Sequence, residues 1–360
     1  MARGDAGDAG EEPSPMDVER RPLVVSDGEE PSWAKNGRTR KWRARNPRCA
    51  KVIIGTGLGL LVVLIAMGIA AMHIWRTKWN RGDADISSSA FQCSENCTTV
   101  DHSLWTRVLS SCVAPGYVSG DIPYTAFNYT RLTPGGDSSV MQDFRAYLDR
   151  IQNTDLDSLS PDESLPFAIN AYNAFVVNMV VSHFVRAEGS IRDLTSVLHG
   201  PVWKRVAGRL RQTVDGAARE VEVSLDDIEH QIIRGRLTNH KEPRIHSTVN
   251  CASISCPDLR PEAFTANGLD AQLDEQMRAW MANAGKGLKA DNQSNSLYLS
   301  KIVDWYSGDF KGTGMAPELY LAQFAPQEAA AFIRDRRPSV QYFGYDWNLN
   351  SVEHGVVQMP

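Results

Sequence analysis

Positive charge is short in this chain: 38 Lys+Arg stand against 43 Asp+Glu, a net charge of −5. That leaves no broad basic surface, and nucleic acid is not expected as a partner. Cysteine is sparse, with six in 360 residues, and the spacing of Cys and His matches no standard zinc finger or ribbon. No internal repeat is apparent. A charged fraction of 22% suits one globular domain with extensions rather than two large domains.

Charge is also missing from one long stretch. From Val52 to Trp75 there is no Asp, Glu, Lys or Arg, and an apolar helix of that length crosses the roughly 30 Å hydrocarbon core. Lys35, Arg38, Arg40, Lys41, Arg43, Arg45, Arg48 and Lys51 precede it, whereas only Arg76, Lys78 and Arg81 follow closely. The positive-inside bias puts the N-terminus in the cytoplasm. The residues ahead of the run are too many and too acidic for a signal-peptide n-region, and their Asp/Glu content disfavours a mitochondrial presequence. The sequence therefore predicts a type II signal anchor. Residues 1–50 are a disordered tail with a basic collar, 51–75 the transmembrane helix, 76–90 a linker, 91–350 a lumenal or extracellular domain, and 351–360 a tail.

Asn96, Asn128 and Asn292 each open an Asn-X-Ser/Thr acceptor pattern, which acts only in the secretory lumen. Cys49 sits before the apolar run and is a candidate for S-acylation. Cys93, Cys97, Cys112, Cys251 and Cys256 follow the run and are disulfide candidates, an odd set that leaves one thiol over.

Within the domain, Ser160 to Glu163 has capping-box spacing with Pro161 at the first helical position, and Pro166 is expected to delay or kink the helix that follows. Phe167 to Phe184 is apolar nearly all round and reads as the central buried helix. Asn170, Asn173 and Asn178 argue against a second membrane span. Residues 203–223 read as two strands joined by Asp215-Gly216. Ser224 begins a helix that Gly235 should end. Arg244 to Cys251 alternates like a short strand. Leu269, Leu273, Met277 and Trp280 mark a helical stripe, 296–299 a strand, and 317–324 and 327–334 helices. The fold class is α+β: a mainly helical domain with a small antiparallel sheet, plus the N-terminal transmembrane helix.

Chemistry-bearing residues gather in three places: Asn170 and Asn173; Glu229 and His230; and His246, Asn250, Cys251, Ser253, Ser255 and Cys256. A thiol nucleophile needs a base and a group to orient that base, so Cys251 or Cys256 with His230 or His246 and Glu229 or Asn173 is a sufficient kit. Amides of residues 252–255 would be the oxyanion donors. On an extended strand His246 and Cys251 face opposite sides, which makes His230 the better base for Cys251. The competing reading is a Cys251–Cys256 disulfide with the polar side chains serving loop backbone. No cofactor is expected. Zinc on His230, His246, Cys251 and Cys256 would require both thiols reduced.

Four blocks, LPFAINAYNAF (165–175), SLDDIEHQIIR (224–234), RIHSTVNCASISCPDL (244–259) and YDWNLN (345–350), with YLSKIVDWYSGDF ending at Phe310, resemble the "domain of unknown function 547" family over roughly residues 140–350. The resemblance maps family motifs onto Asn170, Tyr172, Asn173, Glu229, His230, Arg234, Arg244, His246, Asn250, Cys251, Ser253, Ser255, Cys256 and Pro257. Pro166-Phe167 departs from the aromatic pair usual ahead of the NAYN core. The resemblance implies no particular reaction. Two functions stay open. The favoured one is a membrane-tethered binding or scaffold module for a protein or small-molecule ligand, in which Asn170, Asn173, Arg234, Arg244, Asn250, Ser253 and Ser255 form a structural polar network. The alternative is a cysteine-dependent hydrolase or acyl transferase.

Overall fold

The computed structural model describes residues 97–183, 189–195, 200–214, 217–354 and 356–357. The expected tail at 1–50, membrane helix at 51–75 and linker at 76–90 lie outside them, as do Cys49, Cys93 and Asn96. The described residues fall in one compact unit.

Helix α1 (Ser103–Cys112) buries Trp105, Val108, Leu109 and Cys112, the i, i+3, i+4, i+7 face of an amphipathic helix. A hairpin of β1 (Val113–Ser119) and β2 (Ile122–Phe127) follows. Helix α2 (Ser138–Asn153) starts on Asp137, whose carboxylate accepts from the Ser139 and Val140 amides. It packs on α1.

Helix α3 (Pro161–Ser182) is the centre of the core, with Phe167, Ile169, Tyr172, Phe175 and Val177 among its buried residues. Full burial of each such side chain contributes about 1.5–3 kcal/mol, which is why a helix without a polar face folds here. It is long and apolar enough to cross a membrane, but 83% of its most apolar window is buried inside the domain, so it is a core helix. Two local expectations fail. The helix runs from Pro161 straight through Pro166, which lies near enough to the start that only the Asp162 carbonyl loses a helical partner. The capping box does not form, because the Glu163 carboxylate turns inward to His102 Nε2 at 2.8 Å and Ser160 makes no side-chain cap. A charge-assisted bond in a buried site outweighs an exposed cap.

Strands β3 (Val206–Val214) and β4 (Ala217–Ser224) pair antiparallel; residues 215–216 between them lie outside the described residues. Gly208 of β3 presses on the Phe175 ring so closely that a Cβ would overlap it. The next helix is a π-helix (Asp227–Leu237) that passes through Gly235 rather than stopping there. Asn239 and His240, both at positive φ, turn the chain after it. The expected strand at 244–251 is instead a short 3-10 helix (Pro243–Ser247). Proline at its first position favours helical φ, and the Glu242 side chain accepts from the Arg244 amide.

Helix α4 (Leu269–Ala282) buries Leu273, Met277 and Trp280. After it come β5 (Leu288–Asp291), β6 (Ser296–Leu299), the short helices α5 (Lys301–Trp305), α6 (Ser307–Lys311) and α7 (Pro317–Leu321), then α8 (Gln327–Arg336), β7 (Ser339–Tyr342) and β8 (Val356–Val357). The architecture is α+β. In place of one antiparallel sheet the described residues form three small ones, ordered β2-β1-β8, β3-β4 and β5-β6-β7, and the β6–β7 pair is parallel. The segment between β7 and β8 straps the molecule. Phe127 donates to the Asn350 carbonyl, Asn350 to Ala252, and Ile254 to Asn348.

Candidate functional site

Two asparagines one turn apart on α3 hold two loops by their backbones. Asn170 donates to the Phe264 carbonyl at 2.8 Å and accepts from the Phe264 amide at 3.0 Å. Asn173 donates to the Thr248 carbonyl and accepts from the Asn250 amide, both at 2.9 Å. Asn250 repeats the device, donating to the Pro257 carbonyl and accepting from the Ala252 amide, each at 2.7 Å. That grip supports Ala252 at φ +61°, a left-handed conformation costly for a residue with a Cβ.

The loop so fixed is closed by a Cys251–Cys256 disulfide. Lys286 reaches under it, donating to the Ile254 carbonyl at 3.0 Å and to Asp258 at 2.6 Å. Burial pushes the Lys286 ammonium down, against the opposing pull of Asp258. The Cys256 sulfur accepts from the Cys251 amide at 3.1 Å and lies 3.1 Å from the Tyr345 hydroxyl, which also touches Cys251 Sγ at 3.4 Å. Ser253 donates to the Tyr345 oxygen, and Ser255 Oγ accepts from the Asp346 amide.

Beside the disulfide lies a narrow cleft lined by Tyr172, Glu229, His246, Trp305, Tyr306 and Tyr345 together with both sulfur residues. Its inner cavity is about 20 Å³, room for one water-sized group. Glu229 is 3% exposed. Its carboxylate accepts from the Tyr306 hydroxyl at 2.5 Å and from the Tyr172 hydroxyl. Burial, reinforced by Glu229, raises both tyrosines well above the ordinary range, so they remain donors.

His246, 1% exposed, stacks on Tyr306 with ring centroids 4.1 Å apart. Its Nε2 meets Asp309 Oδ2 at 2.9 Å. A carboxylate accepts only, so the imidazole proton sits on Nε2, and Nδ1 is buried with no partner among the described residues. Asp309 is also gripped by Arg234 through Nε and Nη2 at 2.8 and 3.0 Å. Burial pushes the Asp309 carboxyl up, but the bonds from His246 and Arg234 outweigh it and hold the group below the usual carboxylate range. With its charge matched by Arg234, Asp309 gives little reason for a second cation beside it. Burial therefore dominates at His246 and lowers its pKa from 6.5.

The residues singled out from sequence divide. Glu229, His246, Cys251 and Cys256 converge on the cleft. Asn173 does not line it; both its bonding groups hold backbone. His230 stands one layer out, accepting from Arg234 Nη1 at 2.6 Å. Arg244 is on another face, bonded to Glu242, Asp270 and Asp274. Three of the four loop amides proposed around an oxyanion are already bonded: Ala252 to Asn250, Ile254 to Asn348 and Ser255 to Asp346. Sequence reasoning missed Tyr306, Asp309, Trp305 and Tyr345. The first three lie in the quoted YLSKIVDWYSGDF stretch and Tyr345 opens YDWNLN, so the blocks marked them without assigning roles.

Cys97 is disulfide-bonded, to a partner outside the described residues. Cys112 is free and buried, and burial pushes its thiol up to about 12, which makes it unreactive. Asn128 is half-buried with its side chain accepting from Thr130, whereas Asn292 is exposed between β5 and β6. Among the described residues no group of three or more His, Cys, Asp or Glu is arranged to hold a metal.

No curated protein and no solved structure matches the chain. Residues 156–281, which carry Asn170, Asn173, Glu229, His246 and the Cys251–Cys256 loop, match the model of the family described as protein of unknown function DUF547, and through them the chain resembles that family.

Proposed function

We propose that the chain is a single-pass, type II membrane protein that presents its folded domain on the lumenal or extracellular side as a binding module, with the Glu229–His246 cleft as its recognition site. The membrane part rests on the uncharged run 52–75 and its cationic collar. Disulfides at Cys97 and at Cys251–Cys256 suit an oxidising compartment, and exposed Asn292 suits glycosylation there.

One observation carries the binding reading: His246 keeps a buried lone pair with no partner among the described residues, in a cleft walled by aromatic rings. Buried polar atoms are ordinarily bonded, so this acceptor favours a donor group on a ligand. A cysteine-dependent hydrolase draws less support. Its thiols are joined to each other, three of the four candidate oxyanion amides are already bonded, and the cavity admits one small group rather than a scissile bond with its substituents.

Mild reduction followed by iodoacetamide tests this reading. Binding expects the released Cys251 and Cys256 thiols to alkylate no faster than a model thiol at pH 7. Alkylation tenfold or more faster, abolished by His246→Asn, would favour the hydrolase.

A further inference from the structure

Glu229 is a buried carboxylate with two neutral donors, Tyr172 and Tyr306, and no ion-pair partner among the described residues. The nearby guanidinium, Arg234, is bidentate on Asp309 and lies over the Tyr306 ring at 4.8 Å instead. A buried charge without a counter-charge is costly. The same cavity is lined by His246, whose Nδ1 lone pair has no partner among the described residues, and by the rings of Tyr172, Trp305, Tyr306 and Tyr345.

Each feature selects the same chemistry. An acceptor-only imidazole nitrogen calls for a donor. A buried carboxylate whose neighbouring guanidinium, Arg234, is already paired with Asp309 calls for a further cation, and aromatic faces attract cations. A volume of about 20 Å³ restricts the entering head to about one heavy atom, which shuts out guanidinium and quaternary ammonium groups.

We infer that the cleft binds a primary ammonium group, with Glu229 as counter-charge, His246 Nδ1 as hydrogen-bond acceptor, and Trp305 and Tyr345 at the rim. This deepens the recognition reading above and rests on it. The ammonium can arrive on a lysine side chain or on a free small amine.

The full chain in detergent, disulfides intact, is titrated calorimetrically with n-butylammonium, n-butanol and Nα-acetyl-lysine-N-methylamide. We expect saturable butylammonium binding at least tenfold tighter than butanol, weakened tenfold or more by Glu229→Gln. Tighter binding of the lysine derivative than of butylammonium assigns the site to a lysine side chain, and weaker binding assigns it to a free amine. Equal affinity for butanol and butylammonium overturns the ammonium inference while leaving a ligand cleft in place. Absence of butylammonium binding also overturns it. The alcohol comparison uses the native chain, so it decides even where Glu229→Gln fails to fold.

Discussion

Replacing Asn173 by alanine removes two buried hydrogen bonds at once and leaves both backbone partners, the Thr248 carbonyl and the Asn250 amide, without a bonding group. Each orphaned group costs about 1–3 kcal/mol, and the vacated volume adds to the loss. We therefore expect a destabilisation of about 3–5 kcal/mol, a large share of the roughly 5–15 kcal/mol a domain commonly has. Asn173→Asp should recover little of this. It keeps an acceptor for Asn250 but turns a carboxylate oxygen toward the Thr248 carbonyl. The control is Asn178→Ala on the same helix, where the side chain accepts from exposed Ser182 and the change should stay within about 0.5 kcal/mol. Pulse proteolysis across a urea series, on the purified full chain in detergent, reads both. A loss under about 1 kcal/mol for Asn173→Ala would refute the reasoning that these asparagines are backbone clamps.

Stability should fall as pH drops below about 6.5, because burial lowers the His246 pKa in the fold and the unfolded chain then takes up the proton first, with a limiting slope of about 1.4 kcal/mol per pH unit. Below 3.8 the depressed Asp309 carboxyl adds a second loss in the same direction; His246→Asn should flatten the first phase, and an unchanged slope would contradict it. Lys286→Met removes the tie to Ile254 and Asp258; a loss of about 1–2 kcal/mol in holding the loop corresponds to roughly 5–30-fold faster reduction of Cys251–Cys256 by dithiothreitol through local opening, measured by thiol release, and an unchanged rate would show that Lys286 does not hold the loop. In sealed vesicles with the cytoplasmic face outward, added protease should remove the N-terminal tail and spare the domain; equal cleavage of both would refute the type II orientation.

Much of the fold was legible because burial dictates composition. Helix α3 announces itself by being apolar nearly all round, and α4 by Leu269, Leu273, Met277 and Trp280 recurring at helical spacing. The segment 243–247 was misread because a few alternating residues carry little periodicity, and the decisive signals were Pro243 and the Glu242 side chain bonding the Arg244 amide. Glu163 illustrates tertiary override, since a local cap signature was beaten by His102, 61 positions away. The site was half legible for the same reason. Glu229, His246 and the two cysteines sit in conspicuous short blocks, whereas Asp309 is 63 residues from the histidine it orients and Tyr345 is 89 from the sulfur it covers. No local pattern encodes such pairings.

The tautomer and charge of His246 bear most directly on the cleft as a recognition site. With the imidazole nitrogens labelled, 15N NMR should find Nε2 carrying the proton and Nδ1 bare, with the midpoint of protonation below 6.5. A proton on Nδ1, or an imidazolium already formed near neutral pH, would mean that the cleft offers no vacant acceptor, and the account of a ligand site would fail.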